Sequence, residues 1–223
     1  MIEQNFEIVK ENVRSSNQKY LIDGDNADTQ IIAVSKTKPA EDIEELLLYG
    51  HRIFGENRVQ EALAKWPELK EKYAGVSLHL FGALQTNKVR DALKIFDVIE
   101  VLDREKLARA FKKELADSDE SPEFFIQVNI GEEEQKAGIL PDQADDFIKL
   151  CKGELGLNVV GLMCIPPADE PAAPHFALLK KIATRNDLQK LSMGMSGDYE
   201  LAAAMGASFV RVGTAIFGER NMS

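Results

Sequence analysis

The sequence predicts a single (β/α)8 TIM-type barrel with an extra N-terminal helix. Two observations lead to this fold class: short apolar runs alternate with longer helical patterns, and the alternation repeats about eight times without a hairpin signal. The length of 223 residues suits eight such units, because barrels of this type span roughly 200 to over 400 residues. No shift in composition marks a boundary, so residues 1–223 are interpreted as one domain.

The individual elements follow from the apolar pattern. The opening helix is predicted over roughly 4–18, where Phe6, Val9 and Val13 recur at helical spacing. The predicted strands cover 31–36, 52–56, 77–82, 97–102, 123–130, 158–165, 190–195 and 208–213. The helices between them are predicted from apolar residues at helical spacing, which include Ile43, Leu46 and Leu47; Val59 and Leu63; Leu107, Phe111 and Leu115; and Phe147, Leu150 and Cys151.

Composition and charge exclude several functional classes. The formal net charge of −10 repels DNA, RNA and anionic lipid, so neither nucleic-acid nor membrane binding is expected. The chain has no apolar run of about 18 residues and no secretion signal, which predicts a cytoplasmic protein. Cys151 and Cys164 lack CxxC spacing and are expected to be buried free thiols. His51 and His175 have no third ligand at suitable spacing, so no metal site is predicted.

Lys36 is the first candidate for chemistry because it ends the first predicted strand, where barrels of this type place their active sites. It shares strand parity with Ile32 and Val34, so its amine should rise into the barrel mouth if those side chains point inward. Desolvation there would lower the pKa of the amine, and Lys38 as a second cation would act in the same direction. Such an amine can form a Schiff base with an aldehyde, whereas the alternative is an ordinary solvated lysine.

Small residues follow the last two predicted strands. Ser196 and Gly197 follow the seventh strand, and Gly213 and Thr214 follow the eighth, which are the places where barrels of this type bind phosphate. The alternative is structural: glycine permits tight turns, and Ser196 could cap the helix predicted over 199–205. The two motifs together favour a phosphate site.

Arg211 lies within the apolar last strand. If its side chain points inward it needs an anion or an acceptor atom of a ligand, and if outward it can pair with helix carboxylates. A reactive amine, a phosphate site and an inward arginine match the aldehyde, phosphate and ring nitrogen of pyridoxal 5′-phosphate. A Schiff-base aldolase that acts on a sugar phosphate would need much the same residues.

Several long motifs occur in the order and spacing of one known family. They read AVSKTKP, FGENRVQEA, HLFGALQTNKV, GLMCIP, LSMGMSGD and RVGTAIFGER. Over essentially its whole length the chain resembles the YggS/PROSC family of pyridoxal phosphate homeostasis proteins. The resemblance implies a single-domain relative of the N-terminal barrel of alanine racemase.

The resemblance also implies roles for individual residues. It makes Lys36 the amine that holds pyridoxal 5′-phosphate as a Schiff base, and it places Arg211 at the pyridine nitrogen. The positions that would hold the phosphate are Ser196, Gly213 and Thr214. The family positions near the cofactor mouth are Asn57, His79 and Gln85, with a histidine packed inside a strand as the alternative for His79.

The same resemblance predicts weak or no catalysis. An arginine cannot give up its proton, so it leaves the pyridine nitrogen unprotonated and weakens the ring as an electron sink. The second base of alanine racemase is a tyrosine from another domain, and none of Tyr20, Tyr49, Tyr73 and Tyr199 ends a predicted strand. We therefore expect a monomeric carrier or buffer of pyridoxal 5′-phosphate that supplies apo-enzymes, with no catalytic residue; a single-domain amino-acid racemase is the alternative.

Overall fold

Eight parallel strands close into a barrel in sequential order. The computed structural model describes residues 1–19, 28–116 and 121–219. Within these ranges β8 pairs with β1 and completes the ring, so the predicted fold class is confirmed. The strands are β1 Gln30–Val34, β2 Ile53–Glu56, β3 Ser77–Leu80, β4 Val98–Leu102, β5 Glu123–Val128, β6 Val159–Cys164, β7 Lys190–Ser192 and β8 Phe209–Val212.

Helices alternate with the strands and cover the outside of the barrel. They are α1 Ile2–Lys19, α2 Ala40–Tyr49, α3 Val59–Lys72, α4 Val89–Leu93, α5 Glu105–Glu114, α6 Ala144–Lys149, α7 Ala172–Arg185, α8 Tyr199–Ala204 and α9 Thr214–Phe217. A 3-10 turn, Thr86–Lys88, precedes α4, and a π turn, Leu150–Glu154, continues α6. Outward strand side chains pack on these helices, as in the ring contacts of Phe54 with Trp66 and of Phe111 with Phe124.

Helix α1 precedes the barrel and packs on its outside against α8 and α9. Its buried face carries Phe6, Val9 and Val13, the residues whose spacing predicts this helix. Asn5 Nδ2 donates a hydrogen bond to the carbonyl of Ile216 over 3.0 Å, which ties α1 to α9. None of the described helices is long and apolar enough to cross a bilayer.

The bounds of the predicted strands agree with the structure to within three residues. The differences are largest at the carboxyl ends: the run predicted over 190–195 ends at Ser192. The run predicted over 31–36 ends at Val34, since the chain turns there and the Lys38 N–H donates to the carbonyl of Ser35 over 3.1 Å. Lys36 and Ser196 therefore lie on the loops that follow β1 and β7, whereas His79 and Arg211 lie within β3 and β8.

The strand register decides which side chains enter the barrel. Ile32 on β1 is paired with Arg211 on β8, and residues paired in this way face the same side of a sheet. The Arg211 guanidinium lies 3.7 Å from the Glu100 carboxylate inside the barrel, so Ile32 and, two residues on, Val34 also face inward. Lys36 continues this parity toward the mouth.

Candidate functional site

A cavity of about 500 Å³ opens at the carboxyl ends of the strands. Seven of the eight residues that the sequence nominates for cofactor binding line it: Lys36, Asn57, Ser196, Gly197, Arg211, Gly213 and Thr214. They lie at or just beyond the carboxyl ends of β1, β2, β7 and β8, and the pairing of β1 with β8 brings the first and last of these strands together. The eighth nominated residue, His79, lies outside this lining.

Lys36 is half-buried in the wall of this cavity. Its ammonium lies 6.0 Å from the ring centre of Phe81, a cation–π distance. Phe81 occupies the space beside β2 because residue 55 is glycine: a Cβ on Gly55 would lie 2.6 Å from the Phe81 ring. The glycine of the FGE motif thus makes room for the aromatic wall next to the lysine.

Ser196 and Gly197, on the loop after β7, and Thr214, at the start of α9, line the same cavity. The N–H groups of Ser196, Gly197 and Thr214 make no hydrogen bond to any group in the described ranges. Gly194, on the loop after β7, has φ +90°, a conformation that glycine adopts without a steric penalty. The residue before α8 is Asp198, so Ser196 does not take the alternative role of helix cap.

The charge of the cavity differs from that of the chain as a whole. Among the described residues, its lining contains three cationic side chains, Lys36, Lys38 and Arg211, and no acidic one, although the net charge of the chain is −10. Lys38 Nζ is engaged at the end of α9, where it donates to the carbonyls of Phe217 over 3.0 Å and of Gly218 over 3.2 Å. The site is therefore suited to an anionic ligand.

Arg211 lies at the floor of the cavity, 3% exposed, and is held by neutral and acidic partners. Its Nη1 donates to Ser192 Oγ over 2.6 Å, and its Nη2 donates to the carbonyl of Cys164 over 2.8 Å. Ser192 Oγ in turn donates to Glu100 Oε2 over 2.7 Å. The anion that an inward arginine requires is thus supplied from within the barrel.

His79 belongs to this buried network. Its Nδ1 lies 2.7 Å from Glu100 Oε1, and both residues are essentially unexposed. Burial by itself would raise the pKa of Glu100, but the hydrogen bond and charge of His79, together with Arg211 and Ser192, lower it below the usual value. The position of His79 favours the alternative of a histidine packed within a strand. Glu100, which contacts His79, links it to Arg211 directly and through Ser192.

Sequence reasoning missed Glu100. The signal was present, because Glu100 stands in the middle of the apolar run VIEVL, where an acidic residue cannot be buried without a partner. Its partners lie on β3, β7 and β8, however, and the sequence does not show which strands bring a histidine, a serine and an arginine to the same height.

Other candidate groups lie away from the cavity or are unreactive. Tyr49, Tyr73 and Tyr199 belong to α2, the end of α3 and the start of α8, and none lines the cavity; Tyr20 falls outside the described residues. Cys151 and Cys164 are free and buried, as predicted, and burial raises the pKa of each thiol to about 12. The described ranges contain no cluster of three or more His, Cys, Asp or Glu side chains arranged for a metal ion.

Comparison with known proteins identifies the family. The model of the family "Alanine racemase, N-terminal domain" matches residues 5–221. The chain is 38% identical to the pyridoxal phosphate homeostasis protein of Vibrio cholerae, over 100% of this chain and 98% of that protein.

Solved structures agree with this result. PipY of Synechococcus elongatus PCC7942, solved without PLP, is 35% identical with a TM-score of 0.85, covering 98% of this chain and 100% of that one. The same protein with PLP bound gives 34% identity and a TM-score of 0.76, covering 92% and 98%. The chain therefore belongs to the alanine racemase N-terminal domain family and, within it, to the pyridoxal phosphate homeostasis proteins.

Proposed function

We propose that this chain binds pyridoxal 5′-phosphate in the cavity at the barrel mouth and acts in the homeostasis of that cofactor as a carrier or buffer, without strong catalysis. The observation that carries the proposal is the grouping of Lys36 with the backbone donors of the last two loops around one cationic cavity. The relatives named pyridoxal phosphate homeostasis protein, and PipY with PLP bound, support the choice of ligand.

The residues present fit this cofactor. The N–H groups of Ser196, Gly197 and Thr214, which have no partner among the described residues, suit a phosphate group together with the cationic lining. The buried Oδ1 of Asn57 has no hydrogen-bond partner in the described ranges, so it fits a ligand that carries a hydroxyl group. The cofactor would supply an aldehyde, and Lys36 is the amine that would bind it covalently. Arg211, fixed by Ser192 and Glu100, would face the pyridine nitrogen as a permanent cation.

The arrangement of bases favours a carrier over a racemase. Racemisation needs a proton-transfer group on each face of the substrate. In the part of the chain that the structure describes, the titratable side chains of the cavity lining are Lys36, Lys38 and Arg211. Lys38 donates to the carbonyls at the end of α9, and Arg211 keeps its proton. Of these described lining groups, Lys36 is thus the one suited to proton transfer.

Uptake of the cofactor tests the proposal. Purified protein mixed with pyridoxal 5′-phosphate should develop a visible absorption band that the free cofactor lacks, and Lys36→Ala should abolish the band. Lys72→Ala is the matched control, because Lys72 lies on α3 and pairs with Glu44 away from the cavity. Protein that takes up no cofactor would refute the proposal.

Chiral analysis separates the carrier from the racemase. The loaded protein is incubated with single enantiomers of many amino acids, and the products are separated by chiral chromatography. We expect interconversion far below the range of roughly 1–1000 per second that enzymes usually show. Turnover within that range would favour the single-domain racemase.

We further propose that residues 1–223 form one domain that works as a monomer in the cytoplasm and delivers the cofactor to apo-enzymes. The match of the family model to residues 5–221 supports the single domain. The two free, buried cysteines fit a reducing compartment. Sedimentation at several protein concentrations checks the monomer, and reactivation of a cofactor-free enzyme by the loaded protein checks delivery.

A further inference from the structure

The turn that carries Lys36 has an unusual backbone conformation. Residues 35–38 form a turn closed by the hydrogen bond from the Lys38 N–H to the carbonyl of Ser35 over 3.1 Å. Thr37, its third residue, has φ +61°. This left-handed conformation is unfavourable for a β-branched residue, so the turn depends on contacts that hold it in place.

Helix α3 supplies these contacts through Lys65 and Glu61. Lys65 Nζ donates to the carbonyl of Ser35 over 3.0 Å and to the carbonyl of Lys38 over 3.2 Å, the two ends of the turn. Glu61 Oε1 accepts the N–H of Thr37 over 2.5 Å and lies 2.9 Å from the same ammonium. The ion pair therefore bonds three main-chain groups of the turn.

The buried carboxylate of Glu56 also holds the ammonium of Lys65 in place. Glu56 at the end of β2 is unexposed, and its Oε1 lies 2.8 Å from Lys65 Nζ. The same oxygen accepts hydrogen bonds from Ser35 Oγ over 2.8 Å and from Trp66 Nε1 over 3.1 Å. The Lys65 side chain is only 13% exposed, so its position is determined by these charged partners.

We propose that Lys65, together with Glu61, is a positioning residue that holds the 35–38 turn in the conformation that directs Lys36 into the cavity. The inference rests on the proposed function of Lys36. The contacts of Lys65 and Glu61 explain the spacing of the motif ENRVQEALAK, because these two residues lie one helical turn apart and face the same loop. The competing role of Lys65 is simple neutralisation of buried Glu56.

Lys65→Met tests the proposal, since it keeps the length of the side chain and removes its donors. In the protein without cofactor, hydrogen exchange followed by mass spectrometry should show faster exchange of the Thr37 and Lys38 amides. With cofactor added, the dissociation constant for pyridoxal 5′-phosphate should rise about tenfold. This is the size of effect expected if cofactor binding must restore the strained backbone conformation of one residue, Thr37, that Lys65 no longer holds. Lys72→Met is the control on the same helix and should change neither quantity.

Two second-site variants separate positioning from charge neutralisation. Thr37→Gly accepts the left-handed conformation without penalty, so adding it to Lys65→Met should restore most of the cofactor affinity. Glu56→Gln added to Lys65→Met removes the uncompensated buried charge and should restore stability without restoring affinity. Rescue of affinity by Glu56→Gln and not by Thr37→Gly would overturn the proposal.

The readouts also separate this inference from the proposed function. Unchanged amide exchange in Lys65→Met, or faster exchange with unchanged affinity, would refute the positioning role while the cofactor site stands. A wild-type protein that takes up no cofactor would refute the proposed function, and the exchange measurement would still report whether Lys65 holds the turn.

Discussion

His51 should make the stability of this barrel depend on pH. Its ring packs between Phe6 and Phe54, with ring centres 4.5 and 5.1 Å away, and its Nε2 donates to the carbonyl of Ile53 over 2.7 Å. Burial lowers the pKa of His51 from 6.5 to about 4, and the charges of Arg52 and Lys10 act in the same direction. The folded protein therefore keeps this imidazole neutral at a pH where the unfolded chain protonates it.

The sign and size of the effect follow from linkage. Between pH 6.5 and 4 the unfolded state binds more protons at His51 than the folded state does. The contribution of His51 to the unfolding free energy is therefore fully present above pH 6.5 and decreases as the pH falls below that value. A difference of 2.5 pKa units corresponds to about 3 kcal/mol of unfolding free energy, lost by the time the pH reaches about 4. Protonation of other groups adds to the total, so the contribution of His51 must be measured as a difference.

Urea unfolding of wild type and His51→Gln at several pH values isolates that difference. Glutamine keeps a donor for the Ile53 carbonyl and does not titrate, while the buried Trp66 reports unfolding by its fluorescence. The stability of the wild type relative to His51→Gln should fall by about 3 kcal/mol from pH 7 to pH 4. His175→Gln, which removes a histidine paired with Glu170, is the control. Parallel stability curves for wild type and His51→Gln would show that protonation of His51 does not control the stability.

Three further predictions concern the site and its surroundings. Thr214→Val should weaken binding of pyridoxal 5′-phosphate about tenfold but leave binding of pyridoxal, which has no phosphate, unchanged in titrations; equal losses for both would contradict the phosphate site. Glu100→Gln should lower the unfolding free energy by about 3–5 kcal/mol in urea, because Arg211 then lacks its buried anion; a loss below about 1 kcal/mol would argue against the network. Cys151 and Cys164 should resist a thiol reagent until the chain unfolds, since burial raises the pKa of each to about 12; rapid labelling of folded protein would show the opposite.

The fold and seven of the eight nominated cofactor-binding residues were accessible from the sequence because they depend on local patterns. Apolar runs and helical spacing predict the strands and helices, and the parity of Lys36 with Ile32 and Val34 predicts its approach to the mouth. The fold class then brings the loops after β7 and β8 next to the loop after β1, since the last strand of a closed barrel pairs with the first. Long motifs identify the family.

The buried polar network was not accessible in this way. Glu100 is recognisable as an acidic residue in an apolar run, but its contact with His79, Ser192 and Arg211 depends on the register of strands far apart in the sequence. The same applies to the Lys65 contacts with the 35–38 turn. A sequence pattern predicts which residues face inward. Which charged side chains pair with each other depends on their positions along the barrel axis, which only the strand register determines.

We expect the Lys36 amine to capture an aldehyde in the cavity at the barrel mouth. Borohydride reduction of protein loaded with pyridoxal 5′-phosphate, followed by proteolysis and mass spectrometry, locates the bond that forms. We predict the mass of the reduced cofactor on the peptide that contains Lys36, at the Lys36 side chain and not at Lys38. Reduced cofactor spread over exposed lysines, with Lys36 unmodified, would rule out this role for Lys36.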